Sequence, residues 1–237
     1  MEKVLFALVF FVAYTIQAIT GFAGNIFAMP AGTALIGLHS SVAVLNVMGL
    51  FACGLLAVTN IGCVNRRELA RIVLTMLPFV ALGIWIDSVL PLDVLLRVYG
   101  VVIVLVGVKN LLSTRQGFLP EWALWAVLAL AGLIQGMFVS GGALLVVYAV
   151  QKLTDRDEFR ITLSMVWTIL NLVYTLFSVS QGYFTADVVG VVALCVPVAV
   201  AATWLGNRLQ AHIGQKWFMR LVYALLICIG AALVATS

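Results

Sequence analysis

Residues 16–30 read IQAITGFAGNIFAMP, and residues 134–148 read IQGMFVSGGALLVVY. Each is an apolar run carrying one Gln, then a glycine-containing break, then a second apolar run too short to cross a bilayer alone. At membrane depth, irregular backbone is tolerated only where it lines a cavity or is buried in protein. If the chain is a membrane protein, these two stretches mark where a solute would be held.

Composition meets that condition. The 237 residues are 64% hydrophobic and 9% charged, with a mean hydropathy of +1.18, whereas soluble domains carry about 25% charged residues. Apolar runs recur along the whole length and leave no room for a soluble domain. Residues 4–18 resemble a signal-peptide core. They follow a single Lys, lack a small-residue cleavage site and match an internal segment, so they read as mature chain. The net charge of +4 is no sign of nucleic-acid binding, because the basic residues lie between apolar runs, where they set topology. Cys53, Cys63, Cys195 and Cys228 are scattered without metal-ligand spacing and read as free thiols. No metal or cofactor is expected.

Charge and Gly/Pro punctuation divide the chain into ten helical pieces, near 4–20, 24–37, 42–62, 69–89, 92–112, 122–138, 142–153, 159–179, 186–205 and 217–235. A full span needs about 20 residues. The second piece of each set of five reaches only about 18–21 Å at the helical rise, so it reads as a half-helix. The two sets form an internal repeat. A slide of 118 aligns Val9 with Val127, Ile16-Gln17 with Ile134-Gln135, and Gly24 with Gly142. A slide of 119 aligns Pro78 with Pro197 and Trp85 with Trp204, and one of 123 aligns Arg97 with Arg220. The expected domains are a first repeat, 1–113, and a second, 121–237.

Loop charge decides their orientation. If each broken pair is one kinked span, the halves are parallel. Arg66, Arg67 and Arg71 then face away from Lys152, Arg156, Arg160, Arg208, Lys216 and Arg220. If each pair turns back, as two spans or a re-entrant hairpin, the second half is inverted. All nine, with Lys109 and Arg115, then share one side, leaving Lys3 and Arg97 opposite. The second arrangement obeys the positive-inside rule. The expected fold is therefore an all-α membrane protein, an inverted-topology repeat of two five-helix halves, each opening with a broken or re-entrant helix pair. The expected location is the inner membrane, multi-pass, with both termini outside the cytoplasm. Trp122, Trp125, Trp217, Tyr99 and Tyr183 fall near span ends, where amphipathic rings anchor.

The breaks carry the candidate chemistry. Gly21 and Gly24, and then Ser140, Gly141 and Gly142, let the backbone turn and another group approach closely. The half-helices begin near Asn25 and Ala143, and their first N–H groups carry the positive end of the dipole. Two such ends near the midplane would bind an anion without a buried Lys or Arg. Close helix packing through small residues is the alternative. Gln17 and Gln135 stand one to two turns before each break, with Thr20 and Asn25 flanking the first. Their amides would donate to an oxyanion or bond between helices. Ser164, Thr168, Asn171, Thr175 and Ser178 share one helix face, as a hydrated path or an interhelical seam. Their counterparts are Asn46, Leu50, Cys53, Ala57 and Asn60. No acidic residue lies near a span centre, so a buried carboxylate relay has no member. His39 and His212 read as loop residues. No nucleophile–base pair, phosphate loop or metal set is present, and the chain does not read as an enzyme.

The blocks GFAGNIFAMP…SSVAVLN and VSGGALLVVY…FRITLSM resemble the sulfite exporter TauE/SafE family over nearly the whole chain. The chain departs from the family pattern at Ala23 and Asn25, where a fuller glycine run is usual, and at Tyr148, which stands opposite Pro30. The resemblance implies transport of sulfite, an organosulfonate or a related small anion. The expectation is a secondary transporter or facilitator, with a non-transporting membrane partner or assembly factor as the alternative. Its candidate ligands are Gln17, Thr20, Gly21, Gly24, Asn25, Asn46, Gln135, Ser140, Gly141, Gly142, Ser164, Thr168 and Asn171. Its expected partners are a small anion and the lipid bilayer, with a homodimer left open and nucleic acid excluded.

Overall fold

The structure, a computed structural model, describes residues 2–36, 38–86, 119–138, 141–182 and 184–236. The described residues form nine α-helices and one short 3-10 turn, Ile61–Cys63, with no strand among them. The helices are α1 (Glu2–Thr20), α2 (Gly24–Ile36), α3 (Leu38–Thr59), α4 (Arg66–Ile86), α5 (Glu121–Phe138), α6 (Gly142–Lys152), α7 (Arg156–Ser180), α8 (Ala186–Ala211) and α9 (Gln215–Thr236). The span expected at 92–112 lies outside the described residues, as do Ser140, Asp87, Asp93, Arg97, Tyr99, Lys109, Arg115 and Tyr183.

The two half-helices are short, as expected: α2 has 13 residues and α6 has 11. Among the described residues, α4, α7 and α8 contain windows long and apolar enough to cross a bilayer. Pro78 and Pro197, aligned by the repeat, both sit inside their helices, which membrane helices tolerate because neighbours satisfy the freed carbonyls.

By internal packing the chain forms two compact units, Met1–Val73 with Asp157–Ile213, and Leu74–Arg156 with Gly214–Ser237. In the first, α1 and α2 pack on each other and on α3, while α8 packs on α1 and α3. Phe10, Ala13, Tyr14, Val44, Leu45, Met48, Cys195, Ala199 and Ala202 fill the space between them. Small residues allow close approach, which is how helices associate where lipid offers no hydrophobic driving force. On Gly206 of α8, a Cβ would lie 2.6 Å from both the Thr15 carbonyl and the Ala18 Cβ.

α7 shows the polarity of a membrane helix. Ser164, Asn171 and Ser178 are buried, whereas Leu172, Val173, Leu176 and Val179 are exposed. A soluble surface helix has the opposite distribution. α3 and α7 are antiparallel, since Gly49 meets Asn171 and, further along α3, Gly54 meets Thr168 one turn earlier on α7. Asn65 ties the ends together. Its Oδ1 accepts from the Glu68 N–H and caps α4, its Nδ2 donates to Glu158 at 2.6 Å, and its backbone N–H donates to Thr162. Gln210 near the end of α8 donates to Asp157 at the start of α7, at 2.7 Å. The α3–α4 loop, the start of α7 and the end of α8 thus share one end of this unit.

In the second unit, α4 and α5 cross at glycines. A Cβ on Gly132 would lie 2.6 Å from the Met76 carbonyl, and one on Gly83 would strike the Leu133 carbonyl. Leu133 and Gly136, which receive Gly83, stand 118 positions after Thr15 and Ala18, which receive Gly206. The first helix of each sequence half is therefore crossed at the same two positions by the fourth helix of the other half. Lys152 pairs with Glu121, and Gln215 donates to the Thr154 carbonyl at 2.6 Å.

Candidate functional site

The first break occupies residues 21–23. Gly21 has φ +86°, the left-handed region that a Cβ disfavours. A Cβ there would also lie 2.7 Å from the Arg160 carbonyl oxygen on α7. Glycine is thus required both by the turn and by its seat on α7.

Gly24 opens α2, and its N–H donates to Gln17 Oε1 at 2.5 Å. Gln17 Nε2 lies 3.0 Å from Cys53 Sγ on α3 and 3.5 Å from the Gly21 carbonyl. One buried amide therefore links α1, the first donor of α2, and α3. The next N–H groups, at Asn25 and Ile26, belong to the row that a helix leaves without an intrahelical acceptor.

The Asn25 side chain is held by Tyr14. The Tyr14 hydroxyl lies 2.9 Å from Asn25 Oδ1 and 3.1 Å from the Leu45 carbonyl, with one hydrogen to share between them. Opposite, α3 presents the bare face of Gly49. A Cβ on Gly49 would lie 2.5 Å from Asn171 Nδ2 and 3.5 Å from Asn25 Nδ2. Amides from α2 and α7 thus converge on α3 beside the α2 N-terminus. Asn171 is 1% exposed and its Oδ1 has no hydrogen-bond partner. A buried acceptor without a partner is costly in an apolar medium, so this oxygen calls for a donor such as water.

The remaining candidates of this unit separate by their hydroxyl hydrogens. Thr20 donates to the Ile16 carbonyl, Ser164 to Arg160 and Thr168 to Ser164, at 2.8–2.9 Å. In this arrangement they offer lone pairs, and the donors are the amides and backbone N–H groups. Asn46 is fully buried on α3.

The second unit repeats the capping device. Gly141 donates its N–H to Gln135 Oε1 at 2.9 Å, and a Cβ on Gly141 would lie 2.8 Å from the Gln135 Cβ. Gly142 begins α6, whose residues 142–150 are all buried. The structure thus gathers Gln17, Thr20, Gly21, Gly24, Asn25, Asn46, Ser164, Thr168 and Asn171 in one unit, and Gln135, Gly141 and Gly142 in the other.

Sequence reasoning missed four residues here. Tyr14 precedes Gln17 by three positions on the same face of α1, a spacing that could have marked it. Gly49 and Cys53 needed the partner helix to be known. Arg160 was counted with the loop cations and expected to set topology. It is instead 2% exposed and the largest fully buried side chain among the described residues, because α7 begins at Arg156 and turns this position inward. Its Nη2 donates to Asn207 Oδ1 at 2.6 Å.

The family model described as Sulfite exporter TauE/SafE matches residues 5–233. A Cupriavidus necator protein named Probable sulfite/organosulfonate exporter TauE is 28% identical over 228 residues, which cover 92% of this chain and 88% of that one. A Comamonas testosteroni protein named Probable inner membrane transporter protein TsaS is 27% identical over 178 residues, covering 73% and 74%. No solved structure matches the chain.

Proposed function

The chain belongs to the sulfite exporter TauE/SafE family, and we propose that this membrane transporter is a secondary transporter or facilitator of a small sulfur oxyanion, sulfite or an organosulfonate first. The anion is held at half-helix N-termini, one in each unit. In the first unit it lies against the α2 N–H groups at Asn25 and Ile26, with the Asn25 and Asn171 amides. The observation that carries this reading is the convergence of the Asn25 and Asn171 side-chain nitrogens on Gly49 beside the α2 N-terminus. Helix N-termini favour anions through aligned N–H groups and dipole. An oxyanion of three or four atoms needs several converging donors, which amides and backbone supply here.

The halves read as inverted repeats in the inner membrane, with both termini outside and the loops near 63–71, 154–158 and 206–216 in the cytoplasm. The antiparallel run of α3 and α7, which are repeat-equivalent, supports this. So do the hydrogen bonds joining Asn65 to Glu158 and Gln210 to Asp157 at one end. An inside-negative potential drives anions outward by about 2.3 kcal/mol per charge per 100 mV, so export needs no proton relay.

The test is thermal stabilisation of purified wild type and Asn171→Ala across sulfite, methanesulfonate, acetate and chloride. Stabilisation by sulfite or the sulfonate, weakened in Asn171→Ala, is the expected result. No response of the wild type to either sulfur anion overturns the reading.

A further inference from the structure

One face of α7 carries Ser164, Trp167, Thr168, Asn171, Thr175 and Ser178, spaced three or four apart or side by side. Such a stripe is either a seam of hydrogen bonds between helices or the wall of a hydrated path. A seam requires polar partners on the facing helix. α3 meets this face with glycines instead. A Cβ on Gly54 would lie 3.6 Å from the Thr168 methyl, and one on Gly49 would strike the Asn171 amide.

Three polar atoms of the face are buried without a hydrogen-bond partner: Trp167 Nε1, Asn171 Oδ1 and Thr175 Oγ1. They stand on successive turns, four residues apart. Trp167 and Asn171 are 6% and 1% exposed. The three atoms have different needs. An indole N–H only donates, an amide oxygen only accepts, and a hydroxyl does both. Water serves all three, whereas a dry interface leaves each with its full desolvation penalty. Ser164 and Thr168 donate to carbonyls of their own helix, which leaves their lone pairs for the same water.

We propose that this face of α7 lines the aqueous path by which the anion crosses the first unit, with the Trp167 N–H as a donor to its oxygens. It rests on the anion-transport reading above and adds the route. Neutral donors and acceptors solvate a passing ion weakly enough to release it.

The test is cysteine accessibility of the full-length protein in proteoliposomes. The parent carries Cys63→Ser and Cys228→Ser, which remove the exposed thiols. Single cysteines are then added on the face, as Thr175→Cys or Ser178→Cys, and beside it, as Leu172→Cys or Leu176→Cys. The probe is sulfonatoethyl methanethiosulfonate, an anion that does not cross lipid. Thr175→Cys and Ser178→Cys should react at least about tenfold faster than the two leucine variants, because a thiol in apolar surroundings does not ionise to the reactive thiolate. That order is the reverse of exposure on the protein surface, where Leu172 and Leu176 are exposed and Thr175 Oγ1 is buried. Methanesulfonate should slow the labelling of Thr175→Cys and leave the leucine variants unchanged. Labelling on the face no faster than at the leucines overturns the proposal, since the face is then dry. Labelling that methanesulfonate does not slow also overturns it, since the face then holds water alone. Either result alongside wild-type sulfite efflux leaves anion transport standing and overturns this route alone. Absence of wild-type efflux overturns both.

Discussion

The Asn171 side chain on α7 lies over the bare Cα of Gly49 on α3, its Nδ2 2.5 Å from where a Cβ would stand. That approach buries the polar stripe of α7 inside the first unit and leaves Leu172, Val173 and Leu176 exposed. It also brings Asn171 to the start of α2, where Asn25 reaches the same glycine.

Gly49 is therefore a sensitive position for transport. Gly49→Ala places a methyl where the Asn171 amide sits, and that amide ends a flexible side chain, so the fold should survive. Loss of one positioned donor costs about 1 kcal/mol, or roughly five- to tenfold in affinity. Sulfite-dependent stabilisation of the variant should weaken accordingly, while its own denaturation midpoint stays near wild type.

Gly21→Ala should act on stability instead. Its φ of +86° costs a non-glycine residue about 1–2 kcal/mol, and the Cβ would press on the Arg160 backbone. A denaturation midpoint lowered by at least that cost is expected. A midpoint equal to wild type would show that the break relaxes freely.

Much of this was legible before any coordinates. The bounds of α2 and α6 follow from Gly24, Gly142 and the first charge or glycine beyond them, because lipid enforces apolar runs and punctuation ends them. The repeat was legible through Gln17 and Gln135. What these glutamines touch was not. Their oxygens reach N–H groups six and seven residues later, and only the folded break sets that distance. Nothing in the sequence marks Gly49, because its role depends on α7 lying against it. Arg160 was illegible for a different reason: a cation at the start of a membrane helix normally marks the interface, and only α8, with Asn207, reveals that it is buried.

The Arg160–Asn207 bond ties α7 to α8 one turn from Asp157–Gln210. Arg160→Met keeps the apolar stem and removes the charged hydrogen bond, so unfolding stability should fall by about 2 kcal/mol. Asn207→Asp should hold or raise it, since a carboxylate makes the stronger acceptor for a guanidinium. Denaturation midpoints of the two variants should move in these different directions.

Topology is open to direct assay. Reporter fusions after residues 66 and 156 should read cytoplasmic, and those after 38 and 182 external. An external signal at 156 contradicts the inverted arrangement, because Asn65 and Glu158 are bonded at one end of the first unit.

The most direct trial of anion passage through the α2 N-terminus is efflux of radiolabelled sulfite from proteoliposomes, comparing wild type with Asn171→Ala. Wild type should release sulfite faster than empty liposomes, with competition by methanesulfonate. Asn171→Ala, reconstituted to the same level, should be slower by about fivefold or more at low substrate. Wild-type efflux no faster than empty liposomes, or equal efflux in the variant, would contradict it.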